Sequence, residues 1–196
     1  MIKALISGFS PPEAAFVTGL SPISINKAID RGEIVGQRIR SHSAVARQVG
    51  EPELVYLTLL KVLSTALQRP YRKRLYQELR ARWPARVTTR IDLGVVEVNV
   101  EEAQRHVEER IRLLRDAEAR VVSDPDIRSG EPVVRGTRIP VYMLADLVKQ
   151  GASTAELLAD YPSLTEDGLN AALVYTQVTP RRGRPKGGPW HVSFTI

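Results

Sequence analysis

Residues 121–177, VVSDPDIRSGEPVVRGTRIPVYMLADLVKQGASTAELLADYPSLTEDGLNAALVYTQ, decide the fold expected of the C-terminal part of the chain, because almost every position has a readable structural task. Asp124-Pro125-Asp126 and Ser129-Gly130-Glu131-Pro132 are turn-forming groups around a short apolar piece. Pro132 to Val134 reads as a strand closed by Gly136, so a small β-hairpin comes first. Thr137 or Arg138 then leads into a helix with Pro140 in its first turn. Val141, Leu144, Leu147 and Val148 share one face of it, and Gly151 stops it. Ser153 followed by Glu156 is a capping box that opens a second helix, with Leu157 and Leu158 inward and an end at Tyr161-Pro162. Ser163 or Thr165 caps a third, whose Leu169, Ala172, Leu173 and Tyr175 lie on one face. A hairpin followed by three short helices makes a compact unit.

The run DPDIRSGEPVVRGTRIPV and the later LLADYPSLTEDGLNAAL resemble the bacterial family numbered 433 among the domains of unknown function, found in VapB-like antitoxins of type II toxin–antitoxin pairs. The resemblance covers roughly a third of the chain. It implies a homeodomain-like trihelical fold over 121–178, in an antitoxin that often accompanies a PIN-like ribonuclease toxin.

The whole chain of 196 residues, 43% of them apolar, is long enough for two small domains. No apolar run is long enough to span a bilayer, and the start MIKALISGFSPPEAA lacks the features of a signal peptide, so a cytoplasmic protein is expected. There is no cysteine, hence no disulfide or thiolate, and His42, His106 and His191 are too scattered for a zinc site; neither metal nor cofactor is expected. The net charge of +6 is unevenly placed. Residues 1–90 hold 15 Lys/Arg against 6 Asp/Glu, residues 91–180 hold 9 against 16, and residues 181–196 hold 4 against none. A basic first half suits a polyanion, which an acidic second half would repel.

Phe9 to Gly32, FSPPEAAFVTGLSPISINKAIDRG, is laid out as a helix-turn-helix. Ser10 caps a helix with Pro11 at its first position and Ala14, Ala15 and Val17 inward, and Gly19 closes it with a left-handed turn. Ser21 caps a second helix with Pro22 in its first turn, Ile25 and Ile29 inward and Ser24, Asn26 and Lys27 outward, ending at Gly32. A recognition helix lays such residues in the major groove, where Asn pairs with adenine and Lys reaches guanine or phosphate. The pattern resembles the start of MerR-like winged helix-turn-helix regulators. The next stretch, Glu33 to Val49, changes to a period of two and reads as a two-stranded wing that turns Arg38 and Arg40, with His42, toward phosphate; Arg31 joins them.

Pro52 to Arg82 is helical, interrupted at Arg69-Pro70. Leu54, Tyr56, Leu57, Leu60, Val62, Leu63 and Leu67 make the first part apolar on much of its circumference, so it is expected in the core or between two copies of the chain. The second part packs Leu75, Tyr76 and Leu79 inward and presents Arg72, Lys73, Arg74, Arg80 and Arg82 outward. Residues 91–120 link the halves. Arg86 to Val100 reads as two short strands turning at Gly94, and Glu101 to Arg120 as an amphipathic helix with Ala103, Val107, Ile111, Leu114 and Ala117 inward. The tail, residues 179–196, is extended: a Pro, Gly and Arg-rich piece with Arg181, Arg182, Arg184 and Lys186 precedes an alternating strand with Trp190, Val192, Phe194 and Ile196 on one side.

These readings predict a mainly α protein with small β-hairpins, its winged helix-turn-helix in residues 1–90 and its trihelical antitoxin-like unit in 121–178. The expected function is that of a homodimeric antitoxin that binds and represses its own operator DNA through the first half and neutralises a PIN-like toxin through the tail. A stand-alone regulator whose C-terminal unit only dimerises is the alternative. No paired acids, nucleophile with a base, or phosphate loop suggests an enzyme; Glu108, Glu109, Asp124 and Asp126 sit in charge-mixed or turn contexts.

Overall fold

The computed structural model describes residues 8–41, 44–63, 66–83 and 89–181, with backbone alone at 40, 41, 44 and 45. Two helices come first. Helix α1, Pro11–Thr18, begins where the Glu13 carboxylate accepts from the Ser10 N–H at 2.6 Å, and it ends at Gly19, whose φ of 69° lies in the left-handed region. The chain reverses there into α2, Pro22–Asp30, capped by Ser21, whose hydroxyl accepts from the Ser24 N–H. Strands β1, Gln37–Ser41, and β2, Ala44–Gln48, then pair antiparallel. Phe9 and Val49 exchange two backbone hydrogen bonds, 2.8 and 2.9 Å, so the end of this ribbon is fastened to the chain entering α1.

Helix α3, Glu51–Leu63, buries Leu54, Val55, Tyr56, Leu57 and Leu59, whereas Val62 is 77% exposed. The break before α4, Arg69–Arg82, falls earlier than the Arg69-Pro70 step, and Pro70 instead sits in the first turn of α4, where its missing N–H leaves no helical bond unmade. Strands β3, Arg90–Asp92, and β4, Glu97–Asn99, form a second hairpin, and α5, Glu101–Arg120, buries Ala103, Val107, Ile111, Leu114 and Ala117, the five positions its periodicity predicts. Residues of α1 to α5 and of the β3–β4 hairpin share one core, which Phe9, Ile34 and Val49 join from beside the β1–β2 ribbon.

A second core begins at Val121. Strands β5, Val121–Val122, and β6, Val133–Val134, pair across a loop that contains a 3₁₀ turn, Arg128–Gly130. Helix α6, Val141–Lys149, starts one residue after Pro140, which is its N-cap and does not belong to its first turn. The reason is a tight reversal at Gly136, φ 77°. The Thr137 hydroxyl donates to the Val134 carbonyl at 2.8 Å and accepts from the Ile139 N–H at 3.0 Å, which keeps 137–140 extended against β6. Helix α7, Thr154–Asp160, opens with the Ser153–Glu156 box, and α8, Glu166–Val178, is capped by Thr165. Leu169 and Ala172 of α8 lie in this second core, but its Val178 lies in the first, and α8 packs along α5.

No helix among the described residues is long and apolar enough to cross a membrane. Leu114 and Leu144 are 2% and 0% exposed, one in each core. Truncating either to Ala should cost about 2–5 kcal/mol, and because α8 belongs to both cores, urea unfolding followed by circular dichroism should show one transition that shifts in both variants. Two separated transitions, each moved by only one substitution, would contradict the shared core.

Candidate nucleic-acid interface

The basic residues read from the sequence fall on α2 and on the β1–β2 ribbon. The ribbon stands off the body: Gln37, Arg38 and Ile39 are all exposed, so neither of its faces is packed there. Its attachments are specific. The Arg47 guanidinium of β2 donates to the Asp30 carboxylate at 2.7 Å and to the Asn26 amide oxygen at 3.4 Å, which ties the ribbon to α2. The Val35 N–H at the ribbon's base donates to the Tyr76 hydroxyl at 2.8 Å, and that hydroxyl donates to Glu53 at 2.7 Å. Glu53, only 5% exposed, also accepts from the Gly50 N–H at 3.0 Å and faces Arg80 at 3.5 Å. Three helices and the ribbon are thereby held in one register. On the far side, Arg110 of α5 stacks 3.7 Å from the Phe16 ring centroid and donates to the Phe16 carbonyl, closing the end of α1.

Of the residues singled out for DNA, Ser24, Lys27, Arg31 and Arg38 are exposed. Arg31 faces Glu33 at 3.9 Å, a separation at which an exposed pair is weak. Asn26 is half-buried and already engaged, since its amide nitrogen donates to the Pro22 carbonyl at 3.0 Å. The side chain of Arg40 and the whole of His42 lie outside the described residues. Two features escaped sequence reading. Arg47 pairs in register with Arg38, and nothing in the local pattern says that one arginine turns inward to α2 while the other stays out. Ile23, 67% exposed, sits at the front of α2 where only a polar residue would be expected from a solvated face.

Of the tail residues singled out for the toxin, Arg181 alone is described; Arg182, Arg184, Lys186, Trp190, Val192, Phe194 and Ile196 lie outside the described residues. Arg181 is turned onto its own unit, 3.3 Å from Glu131 and 5.7 Å from the Tyr142 ring, while the Tyr142 hydroxyl donates to the Thr179 carbonyl. The two units are also stitched at Arg120, which meets Asp116 at 2.8 Å and Asp167 at 3.2 Å.

Residues 121–176 match the family described as "Protein of unknown function (DUF433)", so the C-terminal unit carries that domain. A stretch of 80 residues is 44% identical to "Uncharacterized protein y4eO" of Sinorhizobium fredii (strain NBRC 101917 / NGR234). That match covers 41% of this chain and 36% of the relative's length. The X-ray crystal structure of Rv2018 from Mycobacterium tuberculosis aligns over 84% of this chain and 96% of its own, at 17% identity and a TM-score of 0.32, too low to speak for a shared arrangement.

Burial, and then the hydrogen bond to Glu53, push the Tyr76 phenol well above its ordinary pKa, and burial pushes up Tyr56 beside it. A tyrosine raised in the folded state stabilises the fold at every pH below its unfolded value of about 10. That contribution is lost as pH climbs from there toward the folded value. Absorbance at 295 nm during alkaline titration should therefore show part of the tyrosine signal, that of Tyr56 and Tyr76, rising only above the range of a free phenol, with Tyr142, raised chiefly by burial, also shifted upward. All six should titrate together only in denaturant. Six tyrosines titrating together near 10 in the folded protein would contradict the Tyr76–Glu53 bond.

Proposed function

We propose that the chain is a DNA-binding antitoxin: residues 1–90 bind the operator of its own operon and repress it, and the C-terminal part neutralises a PIN-like ribonuclease toxin. The observation that carries the DNA half is the pairing of α2 with a projecting ribbon, both presenting cations to solvent at Lys27, Arg31 and Arg38. A helix with its N-terminal end free and a basic two-stranded arm beside it suit a major groove and its flanking phosphates. Such a winged helix-turn-helix would read bases with Ser24, Asn26 and Lys27 at the front of α2. Ile23 adds an apolar contact of the kind a thymine methyl accepts. Asn26 can read adenine only by exchanging its bonds to the Pro22 carbonyl and the Arg47 guanidinium, whereas Lys27 is exposed and can do so at once.

The antitoxin half is supported by the resemblance of residues 121–177 to a domain carried by VapB-like antitoxins, for which a homeodomain-like arrangement is proposed. In this reading the tail enters the toxin's acidic metal site with Arg182, Arg184 and Lys186, guanidinium groups matching carboxylates, while Trp190, Val192, Phe194 and Ile196 anchor it. Arg181 joins them only by leaving Glu131. That internal pair favours a second reading, in which the C-terminal unit serves the chain's own assembly and the protein is a stand-alone regulator. A homodimer is proposed in both, to address two half-sites about one helical turn apart. Leu54 and Leu57 are buried in the chain's own core, so α3 offers a second copy chiefly Leu60, Val62 and Leu63.

Arg38→Ala should weaken binding to all DNA sequences alike and lower the salt slope by about 1, read by fluorescence anisotropy on the DNA upstream of the gene. A chain lacking residues 180–196 should keep that binding but fail to protect cells expressing the neighbouring toxin. Full protection by the truncated chain would remove the tail from the mechanism. Operator binding by residues 121–196 alone, as tight as by the whole chain, would remove the assignment to the first half.

A further inference from the structure

Beside the α2–ribbon surface, a cleft of about 830 Å³ opens between the C-terminal turn of α2, α3 and α4. Its floor is aromatic. The rings of Tyr56 and Tyr76 lie 4.9 Å apart at 38°, with Leu60 next to them. Its walls are cationic: Arg31 from the α2 turn and Arg69, Arg72, Lys73 and Arg80 from one face of α4, with Glu33 as the carboxylate on the lining. Arg72 is steadied by donating to the Leu67 carbonyl at 2.6 Å, and Arg80 by Glu53 and by the Tyr76 ring, 5.8 Å from its guanidinium carbon.

A solvated helix face explains scattered lysines and arginines, but it does not explain why cations from two separate elements converge on a concave floor formed at a tilted pair of tyrosines. Clefts of some 300–1,000 Å³ with an apolar floor and a few convergent polar groups are the common form of small-molecule sites. Guanidinium groups match phosphate and carboxylate in a planar, bidentate way, and tyrosine rings offer a flat face to a ring of similar size. We infer that this cleft binds a small organic anion, a planar ring carrying a phosphate or carboxylate group, with the ring against Tyr76, which the buried Tyr56 backs from the core, and the anionic group between Lys73, Arg69 and Arg31.

Occupancy has a built-in route to the ribbon. Tyr76 forms the cleft floor and at the same time holds the Val35 N–H and the Glu53 carboxylate. Arg31 and Glu33 line the cleft and directly follow α2. A ligand that settles on Tyr76 therefore acts on the residues that fix the ribbon against α2.

Calorimetry on the full chain without DNA, using adenosine 5′-monophosphate, phthalate, adenosine and inorganic phosphate as probes, tests this independently of the DNA reading. At least one of the two planar anions should bind one per chain, about ten times tighter than adenosine or inorganic phosphate alone. The Val35 amide resonance should move with the same saturation curve. Arg69→Gln with Lys73→Gln, both at exposed positions, should weaken it about tenfold with an unchanged circular dichroism spectrum. Nucleotide binding alone would mark a phosphate ligand and phthalate binding alone a carboxylate. The inference is overturned if neither planar anion binds tighter than inorganic phosphate or if the double variant binds as well as the parent. It is equally overturned if binding leaves Val35 unmoved, or if the double variant loses affinity for DNA only.

Discussion

Helix α8 is apolar on two sides, and the rest of the molecule is arranged around that constraint. A thirteen-residue helix ordinarily buries one stripe and shows the other to water. Here Leu169 and Ala172 close the core of the C-terminal unit, while Val174 and Val178 pack on the core built from α1 to α5. Neither core is complete without it. The long helix α5 serves as the opposing wall, with Ile111 and Leu114 in the first core and Arg120 reaching Asp167 of α8. The two units are consequently not beads on a flexible linker, and a force on the C-terminal unit is transmitted through packed side chains to α1, the helix that supports α2.

Much of this was legible in residues 8–32 and 101–178, where caps, left-handed glycines and helical periodicity all agree. Ser10, Gly19, Ser21, Ser153 and Glu156 hold the positions their chemistry predicts. The departures share a physical cause, which is that a contact distant in sequence overrode a local signal. Pro140 reads as a first-turn proline, yet the pairing of Val133 with Pro140 keeps it extended. Val62 follows the apolar pattern of α3 but points to solvent, since the helices that cover Leu54 and Leu57 do not reach its side. Val174 and Val178 were invisible as a second apolar stripe because the first stripe of α8 already satisfies the period.

The candidate site was legible in charge and not in pairing. A run of cations spread from Lys27 to Arg82 makes the first half basic, which would suit a polyanion. It does not say that Arg47 is fixed by Asp30, that Tyr76 bridges Glu53 and Val35, or that five cations gather over two tyrosines. The hydrogen bonds among those relations link residues between 17 and 41 positions apart, far outside any local window. On the proposed reading they would also separate two tasks within one basic surface: the outer side of α2 and the ribbon for a large partner, and the cleft behind them for a small one.

The most direct measurement of the central claim is hydrogen–deuterium exchange by mass spectrometry on the full chain, with and without the DNA upstream of its gene. If the first half binds DNA as proposed, exchange should slow over residues 21–31 and 37–48 when DNA is bound, with residues 141–178 unchanged. Protection confined to the C-terminal unit, or no change anywhere at a concentration where DNA is bound, would contradict it.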